Sequence, residues 1–403
     1  MPVQPVAESK FIQSPTALLA YAFRPFFLLA SAYAMILIVA WMGVWFLAWP
    51  LAGQVPTMQW HAHEMLFGMV GAAIAGFLLT AMCNWTGARP LAGPGLAALA
   101  ALWLVGRVAM WSTAWLPPVM VMLADCGFFL AIALYAGRVI VRAGNHRNLG
   151  LVAILALLLV ANLLSHLGLW WLGPVWTLTG ERLALFLIVL LMVIIGGRIT
   201  PAFTRNWLKR RGGDPGRIRS HSFIDVISIL LVASVALAAL IGLHATWVSG
   251  LALLAGLANA LRLIGWSGWL GRSDPLIWVL HLGYAWVVIG LLIKGAGLFT
   301  DTIPDSAWLH ALGAGAMGTL ILGVMTRVAL GHTGRELKLP AFGWLIYAAI
   351  TISALLRVVT ALGWMDGRWP LMLSSAFWVI AFGLFLVLYW PILSRSRVDG
   401  RQG

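Results

Sequence analysis

Charge is what this sequence has least of. Asp, Glu, Lys and Arg together make up 9% of its 403 residues, and Asp and Glu number only 12. A soluble domain carries about a quarter charged residues. A chain this poor in charge cannot build a surface for water, so its main solvent is lipid. Cysteine is nearly absent. Cys83 and Cys126 are the only two and fall toward opposite ends of the helices assigned below, which argues against a disulfide framework. The first 25 residues lack a short apolar core followed by a small-residue cleavage site, so no cleavable signal is expected there. Low-complexity tracts and interdomain linkers are missing too. So is the alternating pattern over about ten residues that marks a membrane barrel.

What the chain has instead is long apolar runs. Hydrophobic residues make up 62% of it. Runs bounded by charge, Pro or Gly predict helices over about 26–49, 60–82, 94–116, 118–141, 148–171 and 181–199, then 222–243, 246–269, 276–298, 307–330, 341–362 and 371–393. Each approaches the roughly 20 residues that cross hydrocarbon. The expected architecture is an all-α polytopic bundle of about twelve transmembrane helices, forming a single transmembrane domain over 1–403. Its longest interruption is a basic, Gly-rich loop at about 200–221, with Pro201 expected to stop the sixth helix.

Orientation follows from the basic residues. Among the loops and termini, one side collects almost all of the Lys and Arg, and the other holds only Arg182 and Arg368. The positive-inside rule makes the first side cytoplasmic and puts both termini there. The net charge of +14 is then a topology signal and not a nucleic-acid surface. The Lys209-to-Arg219 stretch is expected to meet anionic lipid headgroups. Trp45, Trp60, Trp171, Trp247 and Trp308 fall at outer helix ends, as an aromatic belt would.

In so apolar a chain each polar residue at membrane depth is a functional candidate. By this topology His61, His63, His166, His244 and His310 share the outer third, and His281 and His332 lie in the inner third. His146 and His221 belong to loops. Imidazole ligates haem iron and copper, and a satisfied core histidine is the alternative for any one of these. His63 and His310 each sit in the first turn of a helix entering from outside. Each is followed five, eight and thirteen residues on by glycine: Gly68, Gly71 and Gly76, and Gly315, Gly318 and Gly323. The expectation is that His63 and His310 face each other across a cofactor cavity lined by glycine. Plain packing of small residues is the alternative.

His61 and His63 point about 200° apart on a regular helix. One is therefore expected to face haem. The other, with His244 or His166, would serve a second metal. Glu64 could orient an imidazole or carry protons. On the inner side His281 and His332 are reserve ligands, although Gly331-His-Thr-Gly-Arg335 also reads as a helix cap. Arg107, Arg262, Lys294 and Arg357 interrupt apolar segments and need internal partners. Arg107 and Arg357 are expected beside Asp125, a histidine or a haem propionate.

These residues resemble a known family. Phe23-Arg-Pro-Phe-Phe27, Trp60-His-Ala-His-Glu-Met-Leu-Phe-Gly68, Gly197-Arg-Ile-Thr-Pro-Ala-Phe-Thr204, Gly256-Leu-Ala-Asn-Ala-Leu-Arg262 and Leu330-Gly-His-Thr-Gly-Arg335 are similar to the motifs of the NnrS family over essentially the whole chain. The resemblance implies a bacterial inner-membrane protein containing haem, expected to be b-type, and copper. It also implies a role in denitrification or in resistance to nitric oxide and nitrosative stress. A looser likeness, in topology alone, links the chain to haem-copper oxidases and nitric oxide reductases, whose twelve-helix core carries haem ligands near the outer side of helices 2 and 10. A secondary transporter of a metal or small metabolite is the competing class, favoured by a broken sixth helix and buried cations.

Overall fold

The computed structural model describes residues 15–49 and 53–400. Lys10 and Arg401, two of the basic residues assigned to the cytoplasmic side, lie outside them. After a short turn of helix at Pro15–Leu18, twelve helices are long and apolar enough to cross a membrane. They are α1 (Phe23–Leu47), α2 (Thr57–Thr86), α3 (Gly93–Trp111), α4 (Pro118–Arg142), α5 (His146–Leu172) and α6 (Pro174–Arg210), then α7 (Ser222–Leu240), α8 (Ala245–Gly265), α9 (Pro275–Ala296), α10 (Asp305–His332), α11 (Trp344–Ala361) and α12 (Trp369–Leu393). No strand occurs among the described residues. The expected all-α bundle is what the chain forms, because in hydrocarbon a helix satisfies its own backbone groups.

The helices pack as three arcs of four: α11-α12-α1-α2, α3-α4-α5-α6 and α7-α8-α9-α10. The last helix of each arc turns inward, so that α2, α6 and α10 meet one another at the centre. One apolar core runs through nearly all the helices.

One boundary differs markedly from expectation. The sixth helix does not stop at Pro201 but continues through it to Arg210. Just past the proline the Thr204 hydroxyl donates to the carbonyl of Thr200 at 2.8 Å. The expected loop at 200–221 therefore shrinks to Arg211–His221, and the helix is not broken. Across from this stretch, Arg262 lies so close to Gly197 that a Cβ there would fall 2.1 Å from its guanidinium. Arg262 bonds the Val193 carbonyl at 2.8 Å, Tyr284 at 2.9 Å and Asp225 at 2.5 Å, and Tyr284 donates to Asn259 at 2.5 Å. This closes a polar knot at the basic end of α6 to α9.

Three helices contain a π-turn at the outer end: Glu64–Met69 in α2, Gly168–Leu172 in α5 and Ala311–Met317 in α10. Each starts one or two residues after a histidine: His63, His166 and His310. A π-turn fits one extra residue into the helix and is frequent at functional sites. The aromatic belt holds for Trp45, Trp171 and Trp247, which are exposed, but not for Trp60 and Trp308, which are buried. Trp60 packs edge-on against Trp111, and Trp308 donates to Asp305.

Candidate metal centre

Six polar residues from four helices meet at the outer end of the second arc. His63 and Glu64 come from α2, Arg107 from α3, Asp125 from α4, and Asn162 and His166 from α5. All are buried, and five of the six have no exposed surface at all. The Asp125 carboxylate is the hub. Its Oδ1 pairs with Arg107, while Oδ2 lies 3.1 Å from Nε2 of His63 and 2.9 Å from Nε2 of His166. Arg107 also donates to Oε1 of Glu64 at 2.5 Å, and the same oxygen lies 3.0 Å from Nδ1 of His63. Tyr33 of α1 donates to the other Glu64 oxygen and accepts from Trp111 at 2.9 Å.

The local sequence explains how these groups converge. Asn162 and His166 are four residues apart and share one face of α5. Gly180 of α6 lets α5 come so near that a Cβ at 180 would fall 2.5 Å from the Ala161 carbonyl oxygen. Gly106 does the same between α3 and α4, where a Cβ would meet the Asp125 backbone at 3.1 Å. Gly68 makes room for the Arg107 side chain. Trp103 donates to the Gly68 carbonyl at 3.0 Å, inside the π-turn where carbonyls lose their ordinary α-helical partners.

The hydrogen-bond inventory singles out His63. Its Nδ1 faces a carboxylate, and its Nε2 faces two further acceptors, Asp125 Oδ2 and Asn162 Oδ1 at 3.0 Å. A neutral imidazole donates from only one ring nitrogen. A metal ion at Nε2, with the proton on Nδ1 facing Glu64, is one arrangement that satisfies these contacts. One ligand atom each from His63, Asp125 and His166 lies within 4.8 Å of the others, close enough for one ion. Two imidazoles and a carboxylate suit copper or iron. The remaining imidazole nitrogen of His63 is held by Glu64, the usual partner of a ligating histidine. The ring of His63 packs between Phe67 and His166, with centroids 4.8 and 5.1 Å away. Its nitrogens leave no open face for a flat macrocycle.

His63 thus turns both ring nitrogens to this cluster and not to His310. His61 lies on α2, His310 on α10 and Arg357 on α11. His61 stacks on Trp41 of α1 with centroids 4.4 Å apart, and its Nδ1 is buried without a partner. His310 donates from Nδ1 to the Ser306 carbonyl at 2.7 Å, which leaves the Nε2 lone pair free for a ligand. His61, His310 and Arg357 each keep accessible surface although they lie deep in the bundle. A Cβ on Gly313, three residues beyond His310, would meet nothing within 4 Å. The division of His61 and His63 between two faces of α2 is as their spacing predicts.

The expected glycine-lined cavity does not form. Gly71 packs under Phe129, Gly315 under Trp286, and Gly318 under Trp378. These glycines admit large aromatic side chains at helix crossings. His244 is exposed and caps α8 by accepting from Thr246, so it is remote from both groups. His281 is buried alone, 2.9 Å from the Thr204 hydroxyl. His332 ends α10, and its carbonyl accepts from Arg397 at 2.7 Å. The turn after it is a helix cap: Gly334 has φ +74° and the Arg335 amide bonds the Leu330 carbonyl at 3.0 Å. Asp125 partners Arg107 and not Arg357. Lys294 lies over the Trp308 ring, 4.2 Å from its centroid.

Sequence reading missed Asn162, Tyr33 and Glu181. Asn162 was findable from its four-residue spacing to His166. Glu181 of α6 is 7% exposed and has one unpaired carboxyl oxygen. Its neighbour Arg182 reaches the surface toward Asp305.

No functionally curated protein matches the chain. The family model described as NnrS protein matches residues 17–397, which covers both histidine groups and all twelve helices. With nearly the whole chain matched, the protein belongs to the NnrS family.

Proposed function

We propose that this protein is a bacterial inner-membrane metalloprotein that handles nitric oxide at two adjacent centres, in denitrification or in resistance to nitrosative stress. Membership of the NnrS family supports the link to nitric oxide. The observation that carries the metal reading is the dry His63–Asp125–His166 cluster, whose donor set suits copper. Haem belongs on the other face of α2. His61 and His310 would ligate it, and the Arg357 cation would meet its propionates. The free Nε2 of His310 and the unpartnered Nδ1 of His61 support that fit.

Reduced haem iron and copper both bind nitric oxide, and that is the chemistry these groups supply when bound. The protein's own residues prepare the centres. Asp125 balances the charge of a cation, Arg107 holds Asp125 and Glu64 in place, and Glu64 fixes the orientation of His63. The bundle excludes water from the cluster. The transporter reading loses its main support because α6 is continuous through Pro201.

Metal analysis and absorption spectra of purified variants test the assignment. His166→Ala should lose the metal ion and keep the Soret band. His61→Ala and His310→Ala should lose or reshape the Soret band and keep the ion. Purified wild-type protein with neither haem nor a bound transition metal would overturn the reading.

A further inference from the structure

At the junction of the three central helices, below both histidine groups, lies a cavity of about 90 Å³. Its walls come from α2, α6 and α10, with Phe27 of α1. Their register is shared. On α2 the walls fall seven, ten, eleven and fourteen residues after His63, from Val70 to Phe77. On α6 they fall at the same four offsets after Glu181, from Ile188 to Ile195. On α10 they fall at the same four offsets after His310, from Met317 to Val324, while Gly196 and Ile199 of α6 and Met325 of α10 extend the wall further in. Three helices from three arcs thus repeat one pattern: a titratable residue at the outer end, then an apolar face about 10 Å further in, at 1.5 Å of rise per residue.

Every wall residue is apolar or glycine. Water in such a space would find no hydrogen-bond partner, and apolar cavities of this kind stay dry yet admit small apolar molecules. The volume is below the roughly 150 Å³ of a cavity known to take benzene, so only smaller molecules fit. Ions are excluded by the cost of desolvation. What remains is a diatomic or similarly small, uncharged molecule, which also dissolves in the surrounding lipid.

We propose that this cavity is a holding site for a small uncharged gas, nitric oxide in the present reading, directly below the metal centres. The identity of the gas rests on the proposed function, and the site itself does not. Ala73, ten residues after His63, lies on the wall and is buried, so a larger side chain there fills the space.

Xenon is the probe. Full-length protein in nanodiscs should give a saturable shift in the xenon-129 resonance. Ala73→Leu and Ile188→Phe should each abolish that shift while metal content and thermal unfolding stay unchanged. Val105→Leu, on an exposed position of α3, should keep it. Wild-type protein without a saturable shift would overturn the site, as would a shift retained in both filled variants. Nitric oxide binding to the reduced wild-type protein is measured separately. A saturable xenon site in a protein that binds no nitric oxide would leave the cavity standing and remove the proposed function. Nitric oxide binding without a xenon site would do the reverse.

Discussion

At the scale of single residues, the candidate centre is an exercise in charge balance inside a medium that tolerates no loose charge. Arg107 is shared by two buried carboxylates, Glu64 and Asp125. Removing one partner of a buried ionic group costs about 3–5 kcal/mol because it strands the other. Arg107→Met should therefore destabilise the protein by about that amount, read as a fall in the thermal midpoint of the purified protein. The triple change Arg107→Met, Glu64→Gln, Asp125→Asn should recover part of it. No recovery would mean that packing, not charge, is what Arg107 supplies. His244 gives the contrasting expectation. It caps a helix at the surface, so His244→Ala should leave metal and haem content at wild-type levels, although sequence depth alone had grouped it with the others.

The residue scale also shows what the sequence could say. The depth of each histidine was legible because the bilayer imposes a fixed ruler on helices. The face of each was only half legible. The spacing of His61 and His63 separated them correctly onto two sides of α2. Which helix each then met depended on azimuths between helices, and no periodicity within one helix encodes those. Glu181 escaped notice because a lone acidic residue beside Arg182 reads as an interfacial pair.

At the scale of elements, the π-turns explain the main miss. Each inserts one residue into the helical repeat, and one residue turns everything beyond it by about 100°. The glycines after His63 and His310 were placed by a regular 3.6-residue repeat, yet a π-turn intervenes in both helices. They consequently face aromatic rings on neighbouring helices. Close approach is the other element-level device. Gly180 brings α5 against α6, so Gly180→Val should push α5 outward, displace His166 and reduce both stability and metal retention. Gly313→Ala faces open space and should fold normally, with any change confined to the haem spectrum. Equal loss of stability in the two variants would show that Gly313 is packed after all.

At the scale of the whole molecule, twelve spans place the two ends of the bundle on one face, and the basic loops identify that face as cytoplasmic. Reporter fusions after Gly212 and Val398 should read cytoplasmic, and fusions after Gly53 and Thr302 should read periplasmic. The overall bundle was legible in composition alone, since lipid forces helices and the run lengths count them. The packing of three arcs around α2, α6 and α10 was not. It emerges only when contacts between helices are known.

The apolar cavity has a consequence for bioenergetics. Along the central axis the polar groups form two separate layers: the histidines, carboxylates and Arg107 near the outer face, and the Arg262–Tyr284–Asn259 knot near the basic face. Between them the three central helices present only hydrocarbon and glycine to the cavity. The cavity itself offers a proton no relay, so an electrochemical gradient should hold in proteoliposomes containing this protein as long as in empty ones. In the function proposed above, protons consumed at the outer groups would be drawn from the outer compartment, and that uptake would do no work across the membrane.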